Sequence, residues 1–460
     1  MNEQWIKIEN EYGADMAEAL KALYEYYEGE KIADWIVSLF DPASGGFYYC
    51  KSARDTEGYL PDIESSQQVF GILANLGAIP LAKRHLLPND LKRRLVTFAR
   101  ELQSPVDGYF YHPQWPQDKN LLATDRYGRD NGQACTIIER FPYDDNGDGI
   151  DEVQYPKYCT PTGKKCALHE GTDECCGFPI AGVAAPQKTE TAPMPEVKSV
   201  GGNHPCYDSR EAFSAWLEEY NSGMKVNSGN AHNLAAISRE IANQGYMDIL
   251  LDHICDKQRE LFDEQVANGE TPTGIWQRDY NYRAVWGCYK YLHIMNENGR
   301  ALDIKYAPYM IEACRRVIEL PPDGKYAYND LMNQWSAING VIGNIKKHYG
   351  DEAAAPLYDI IRRDPVSLVR GSLEKMRPFK QEDGSFSNRV DGVTTPVIYG
   401  SPIAVGGLHE GNVNSTHILV CMYASICAAL GVPRVPPCTE STGDRVIEAL
   451  CTKAPFKKKA

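Results

Sequence analysis

The sequence has little of what marks an exported, membrane-spanning or nucleic-acid-binding protein. None of its 460 residues lie in a run approaching the roughly 18 consecutive apolar residues of a membrane span. The opening residues, MNEQWIKIENEYGADMAEAL, are polar where a secretory leader needs an apolar centre. The formal charge of −14 lacks the basic footprint that phosphate binding requires. We expect a cytoplasmic protein with no membrane and no nucleic-acid partner, and nothing in the sequence fixes its oligomeric state.

Cysteine is sparse for a disulfide-built protein, because 14 residues are spread over the whole length. Five of them lie within helical patterns, where a thiol behaves as a small apolar side chain. These are Cys255, Cys288, Cys314, Cys421 and Cys427. The distribution favours a reducing compartment.

One stretch, CTPTGKKCALHEGTDECC (159–176), does concentrate metal-binding residue types. It contains Cys159, Cys166, His169, Cys175 and Cys176. The spacing differs from the paired C-x2-C of a structural zinc site. Zinc, a disulfide such as Cys159–Cys166 and free thiols therefore all stay open.

Apolar residues recur every three to four positions along most of the chain, which is the period of an amphipathic helix. Several of these segments end in Gly or Asn-Gly, a usual helix stop. With the opening segment and some shorter ones, we expect about a dozen helices. The clearest segments are 16–40, 88–103, 229–244, 247–269, 282–299, 308–320, 329–350 and 415–432.

A glycine followed by an aromatic residue recurs in the connectors beside the helices. It occurs in SGGFYY (44–49), VDGYFYHPQW (106–115), TPTGIWQRDY (271–280) and EDGSFSNR (382–389). Helical hairpins arranged in a ring need such a turn, since it inserts an aromatic ring at one end of the stack. Glycine is common in any loop, but four instances in corresponding positions favour an all-α fold, a helical toroid. Strand-like alternation is scarce outside 383–400.

Residues 141–207 interrupt the helical pattern. The segment is rich in Pro, Gly, Thr and Cys and has no helical period. We interpret it as an irregular insertion within one domain of residues 1–460, because long irregular segments in compact proteins are usually functional loops or lids.

Two stretches resemble segments of a known group of enzymes. DPASGGFY (41–48) looks like the hairpin connector of epimerase-type toroids, and LHEGNVNSTH (408–417) resembles a last-hairpin segment facing the barrel mouth. The chain thus resembles the six-hairpin carbohydrate enzymes, which include glucuronyl hydrolases, β-glucuronidase-like hydrolases and N-acylglucosamine 2-epimerase relatives. The resemblance implies an (α/α)6 toroid and a small carbohydrate substrate. It supports the fold better than the reaction, because one toroid hosts hydrolases, lyases and isomerases.

Two carboxylates lie two positions apart in LPDIESSQQVFGIL (60–73), namely Asp62 and Glu64. Glycoside chemistry needs one protonated and one ionised carboxyl group, and burial separates their pKa values. Residues i and i+2 of a helical turn point in different directions, so at most one of the two faces a shared site. The alternative is a helix start, because an acidic first turn suits the helix N-terminus.

We expect the second catalytic group from GGLHEGNVNSTH (406–417), which precedes a strongly apolar helix. Glu410 is the candidate partner carboxylate, and His409 is a candidate general acid/base. Asn412 and Asn414 are candidate substrate ligands. Alternatively, Asn414 or the serine after it caps the helix and Glu410 is a solvated loop residue.

Aromatic and polar residues in the connectors predict a sugar-binding site, because pyranose faces stack on Trp and Tyr while hydroxyl groups need polar partners. Trp276 follows a connector glycine and is expected to be more exposed than Trp286, which lies at core spacing. Arg54 or Arg283 would bind a substrate carboxylate in a fork geometry, which suggests a uronic acid. The remaining candidate substrate ligands are Tyr59, His112, Trp115, His232, Asp279 and Tyr280.

The stretch DDNGDGIDE (144–152) matches the oxygen-rich spacing of a calcium loop. The predicted ligands are Asp144, Asn146, Asp148 and Glu152. A full EF-hand would want Glu at the twelfth loop position, where Tyr155 stands. We expect a structural Ca²⁺ at most, or alternatively an Asx-rich turn, and no organic cofactor.

These observations predict a glycoside hydrolase that acts on a short glycan, with or without uronic acid units. The predicted mechanism is acid/base catalysis by carboxylate and histidine side chains. One alternative is a toroid isomerase, lyase or dehydratase in which His or Tyr removes a proton next to a carbonyl group. A second alternative is a non-catalytic helical-repeat protein that binds through its concave face.

Overall fold

The fold is described from a computed structural model over residues 3–80, 87–103, 110, 114, 125–143, 205–220, 228–398 and 401–454. In these ranges the chain is mostly helical, which confirms the all-α prediction. The helices are α1 Glu3–Tyr12, α2 Ala14–Tyr27, α3 Gly29–Leu39, α4 Lys51–Asp55, α5 Ile63–Leu76, α6 Asn89–Glu101, α7 Asp125–Arg140, α8 Arg210–Tyr220, α9 Ser228–Gln244, α10 Met247–Ala267, α11 Tyr282–Glu297, α12 Ala307–Glu319, α13 Tyr328–Tyr349, α14 Asp351–Ile361, α15 Pro365–Met376, α16 Val413–Leu430 and α17 Glu440–Thr452. Two short antiparallel strands, β1 Val397–Ile398 and β2 Ser401–Pro402, pair beside them.

Helix positions agree closely with the apolar periodicity. The seven segments predicted from 88–103 onward each begin and end within two residues of an observed helix. The segment 16–40 was wrong as one helix, because it divides into α2 and α3 at Glu28. Glu28 has φ 49°, a left-handed conformation that ends α2 and redirects the chain.

Six helices pack in a closed circuit. Neighbouring contacts run from α5 to α7, α9, α11, α13 and α16, and α16 packs against α5 again. These six are called the central helices below. Each is preceded in the chain by a helix outside the circuit, and from α5 to α13 helices inside and outside it alternate along the sequence.

The glycine–aromatic connectors place their rings in the core. Phe47, Phe110 and Phe386 are fully buried, and Trp276, expected to be more exposed than Trp286, is 4% exposed. Phe47 and Phe110 each form an isolated β-bridge to a residue one or two positions after the preceding helix, and Phe386 bridges Lys380, four positions after α15. The same local device therefore recurs in three of the connectors.

Polar N-caps start three of the central helices. Asp62, Asn281 and Asn412 each accept a hydrogen bond from the backbone N–H three residues on, at 2.7, 2.9 and 2.9 Å. The caps of α5, α11 and α16 fix where these helices begin, and hence which side chains occupy their first turns.

α16 is the one described helix long and apolar enough to cross a membrane by length and composition. Two thirds of its residues, 67%, are buried inside the protein, as in a core helix. Of the predicted insertion 141–207, only 141–143 and 205–207 lie within the described residues.

Candidate functional site

A cavity of about 510 Å³ lies between the central helices, and all six contribute to its wall. Its polar lining is dominated by carboxamides, with hydroxyl groups from Ser336 and Ser425. The carboxamides are Gln68, Asn75, Asn329, Asn333, Asn339 and Asn414. The rings and ionisable groups of the lining are Trp286, Tyr289, Tyr328, Arg129, Lys290, His232 and His417.

Side chains near the beginnings of α5, α16 and α13 are hydrogen-bonded to one another. The amide nitrogen of Gln68 donates to Glu64 Oε1 at 3.0 Å and to Asn414 Oδ1 at 3.2 Å. Asn414 Nδ2 in turn lies 3.0 Å from the hydroxyl oxygen of Tyr328, which accepts its hydrogen. The carboxylate of Glu64 is thereby connected through Gln68 to two further helices.

The same network continues from Glu64 to α7, α9 and α11. The Arg129 guanidinium forms an ion pair with Glu64 Oε1. Its Nη1 donates to His232 Nε2 at 3.3 Å. Because Arg can only donate, Nε2 accepts and the proton of the neutral imidazole lies on Nδ1. The His232 ring lies 5.3 Å from the Trp286 ring, centroid to centroid.

The Glu64–Arg129 ion pair is buried, so neither side chain can leave the other without a large cost in stability. The side chains of Glu64 and Arg129 are 2% and 16% exposed. A carboxylate removed from water is costly unless it is paired and hydrogen-bonded. Arg129 and Gln68 both meet Glu64 Oε1, so this carboxylate orients two residues that face the cavity.

His417 is a second histidine of the lining. Burial lowers its pKa to about 4, and the positive charges of Arg129 and Arg140 act in the same direction. The imidazole is therefore uncharged at neutral pH. On another wall of the cavity, burial raises the pKa of Tyr289 to about 12, with Cys421 and Glu297 adding to the shift. That phenol stays protonated.

Three of the residues predicted for the site lie in or beside the cavity, namely Glu64, His232 and Asn414. Asp62 and Asn412 are instead helix caps: Asp62 also accepts from Ser65 Oγ at 2.6 Å. As expected from helix geometry, Asp62 and Glu64 face different partners. The suggestion that Asn414 or the following serine caps α16 was wrong, since Asn412 does so.

His409 and Glu410 line a separate cleft of about 940 Å³, together with residues of 51–57 and 381–383. Glu410 accepts from Ser52 N at 3.0 Å and from Ser52 Oγ at 2.5 Å. A residue expected in a solvated loop or at the reaction centre is thus bound to the first turn of α4. The structure does not bring His409 and Glu410 together with Glu64 in one cavity.

Arg54 and Tyr59 also lie outside the cavity lining. The Arg54 guanidinium forms a two-pronged ion pair with Asp55 at 2.6 and 2.7 Å and donates to Ser38 O at 3.1 Å. The Tyr59 hydroxyl donates to Ala404 O at 3.0 Å. Both side chains hold the connector between α3 and α5.

The predicted ligands of the 274–283 segment lie in the core or at the protein surface, and none of them lines the cavity. Trp276 is buried and donates from Nε1 to Ile254 O at 2.8 Å. Tyr280 lies under the Arg316 guanidinium at 4.8 Å, while Asp279 and Arg283 are exposed. The expectation that Trp276 is more accessible than Trp286 was therefore wrong, because Trp286 lines the cavity.

Several predicted ligands lie outside the described residues. They are His112 and Trp115, the calcium-loop residues Asp144, Asn146, Asp148 and Glu152, and the cysteine-rich stretch 159–176. Calcium and zinc there stay predictions. Within the described ranges, no group of three or more His, Cys, Asp or Glu side chains is arranged to hold a metal ion.

Sequence reasoning missed most of the cavity, although a positional signal was present. The fifth residue of a central helix lines the cavity in five of the six helices. These residues are Arg129 of α7, His232 of α9, Trp286 of α11, Met332 of α13 and His417 of α16. In α5 the corresponding role falls to Gln68, the sixth residue.

Comparison of the chain with protein-family models, with curated proteins and with solved structures gave no match.

Proposed function

We propose that the central helices are the inner layer of an (α/α)6 toroid spanning residues 1–460, and that its cavity binds a small carbohydrate. The closed circuit of helix contacts supports the toroid, as does the alternation of helices inside and outside it from α5 to α13. All six central helices line the cavity, as the inner helices of a toroid would.

The composition of the cavity lining favours a carbohydrate as the ligand. Six carboxamides and two serine hydroxyls offer both donors and acceptors, and three aromatic rings accompany them. Polyhydroxylated rings require this combination, because hydroxyl groups need polar partners and the apolar ring face stacks on Trp or Tyr. A buried polar site of this kind discriminates strongly against ligands that leave its groups unpaired.

The favoured chemistry is histidine-centred acid/base catalysis, as in a sugar isomerase, lyase or dehydratase. Among the described lining residues there is no carboxylate, and Glu64 lies behind Arg129 and Gln68. Two-carboxylate hydrolysis needs a second acid about 5–9.5 Å away. His232 is the candidate base, through the Nε2 atom that accepts from Arg129, whereas His417, whose pKa is lowered to about 4, is too weak a base for this role. The Tyr328 hydroxyl lies in the same network as a proton donor to a leaving oxygen.

A glycoside hydrolase is the second candidate, and Glu64 favours it. Its pairing with Arg129 stabilises the ionised carboxylate, the form that activates water or attacks a sugar carbon.

The test is a two-stage assay on the full chain. Thermal shifts with neutral sugars and uronic acids, as mono- and disaccharides, identify a bound probe; products are then followed by reducing ends, by ultraviolet absorbance of a new double bond and by chromatography of isomers. We expect a stabilising sugar whose turnover is lost in His232→Asn and kept in His409→Ala, a residue of the separate cleft. Stabilisation by none of the sugars would overturn the proposal, and binding without any product would leave a sugar-binding protein.

A further inference from the structure

His417 and Gly71 fit one another across the contact between α16 and α5. A Cβ atom placed on Gly71 would lie 2.6 Å from His417 Nε2 and 2.9 Å from its Cδ2, closer than real Cβ atoms come. Gly71 lies in the middle of α5 and does not have the positive φ that would call for glycine. Glycine within a helix is destabilising relative to alanine. The space taken by the imidazole accounts for a glycine at this position.

No interaction within the described part of the protein explains a histidine at position 417. Among the described residues, neither ring nitrogen of His417 has a hydrogen-bond partner, and the partly exposed ring faces the cavity. The ring lines the cavity one helical turn before Cys421 and opposite Gln68 and Asn75 of α5. A core packing role would be served better by an apolar side chain.

The charges around His417 favour its neutral form. The cations that act on it are Arg129 and Arg140 of α7, while α5 and α13 present only uncharged side chains to this part of the cavity lining. A neutral imidazole has one donor and one acceptor nitrogen. Sugar hydroxyl groups have the same dual character, so the two groups are complementary.

We infer that His417 contacts the ligand from the α5–α16 wall of the cavity, as an uncharged imidazole that hydrogen-bonds a hydroxyl group, and that Gly71 keeps the space for it. The inference rests on the proposed function, since it deepens the same site. His417 belongs to the binding machinery, and Gly71 is a positioning residue that acts through it.

The direct test is nitrogen NMR of the full chain labelled with ¹⁵N-histidine at pH 7. D-Glucose, D-mannose, N-acetyl-D-glucosamine and D-glucuronate are titrated in separately. Comparison with His417→Asn and His232→Asn assigns the two rings. We expect His417 to show the neutral-imidazole pattern and its ring nitrogens to shift when a probe binds. His417→Asn should weaken that probe by about three- to tenfold, the loss of one or two neutral hydrogen bonds.

Two outcomes contradict the inference in distinguishable ways. A probe that shifts the His232 ring but leaves the His417 ring unmoved overturns the inference and leaves the proposed function intact. No binding by any probe contradicts both.

A double-mutant cycle between Gly71 and His417 tests the positioning role of Gly71. Gly71→Ala should lower the melting temperature and weaken the same probe about as much as His417→Asn does. In the His417→Ala background, Gly71→Ala should raise the melting temperature, because the clash is gone and alanine favours the helix. Gly343→Ala in α13 is the matched control: a Cβ there meets no atom within 4 Å, so stability should rise and probe affinity stay unchanged. Equal destabilisation by Gly71→Ala in both backgrounds would contradict the role.

Discussion

Glu64 of α5 and Arg129 of α7 form a buried ion pair across 65 positions of sequence. The pair joins two neighbouring central helices, α5 and α7, beside the cavity. It also links the cavity-facing Gln68 to His232, so that one carboxylate organises groups from several helices.

Removal of the Arg129 charge should destabilise the fold strongly. Arg129→Met leaves the Glu64 carboxylate buried without its cation, which typically costs about 3–5 kcal/mol. The double variant with Glu64→Gln should recover a large part of this loss. Urea unfolding of the four proteins at pH 7 measures the coupling. Arg445→Met is the control, because its partners Glu30 and Asp34 are about half exposed and such pairs contribute at most about 1 kcal/mol. If Arg129→Met and Glu64→Gln had purely additive effects on the free energy of unfolding, the account would be contradicted.

Asp62 should behave as a helix cap and not as a catalytic group. Asp62→Ala removes the acceptor for Ser65 N and should lower the free energy of unfolding by about 0.5–2 kcal/mol. The affinity for a bound sugar should stay unchanged. Asp364→Ala, which removes the cap of α15 at Ser367 N, is the matched control. Denaturation and sugar titration of both variants check this; unchanged stability with lost turnover in Asp62→Ala would reverse the assignment.

His417 should make the stability depend on pH below neutrality. Its pKa is lowered to about 4 from 6.5, so between these values the unfolded state binds more protons than the folded state. The stability is therefore fully present above pH 6.5 and is lost as the pH falls toward 4, by up to about 3 kcal/mol. Unfolding of wild type and His417→Asn between pH 4 and pH 7 isolates this contribution. Parallel pH profiles for the two proteins would show that the pKa of His417 is not lowered in the folded state.

Trp286 should report ligand binding by fluorescence. It lines the cavity beside His232, whereas Trp276 is packed in the core against Tyr291 at 5.1 Å. A sugar stacked on Trp286 should change the emission, and Trp286→Phe should abolish the change. Trp276→Phe should keep the change and lower stability instead, because it loses the hydrogen bond to Ile254 O. Loss of the signal in Trp276→Phe alone would contradict the site.

The sequence predicted local structure well because the relevant interactions are local. Apolar spacing and polar or glycine ends located α9 to α13 within two residues. The connector glycines predicted buried rings such as Phe47 and Phe386 because the turn chemistry is repeated. The five-residue α4 has too few residues to show a period, so it was missed.

The site was less predictable because its contacts join distant positions. Nothing near Arg129 in the sequence indicates Glu64 as its partner, since the pairing depends on which helices are neighbours. The sequence offered Glu410 as a catalytic carboxylate or a solvated loop residue, and gave no sign that Ser52, 358 positions away, binds it. Trp286 was assigned to the core because a helix lining a cavity has the same apolar spacing as a helix lining a core.

The most direct test of the central claim is a crystal structure after soaking with neutral sugars and uronic acids. The account predicts sugar density in the cavity between the six central helices, within hydrogen-bond distance of Gln68, Asn414 and His417 and against the Trp286 ring. Density confined to the separate cleft at His409 and Glu410, with the cavity between the central helices unchanged, would contradict it.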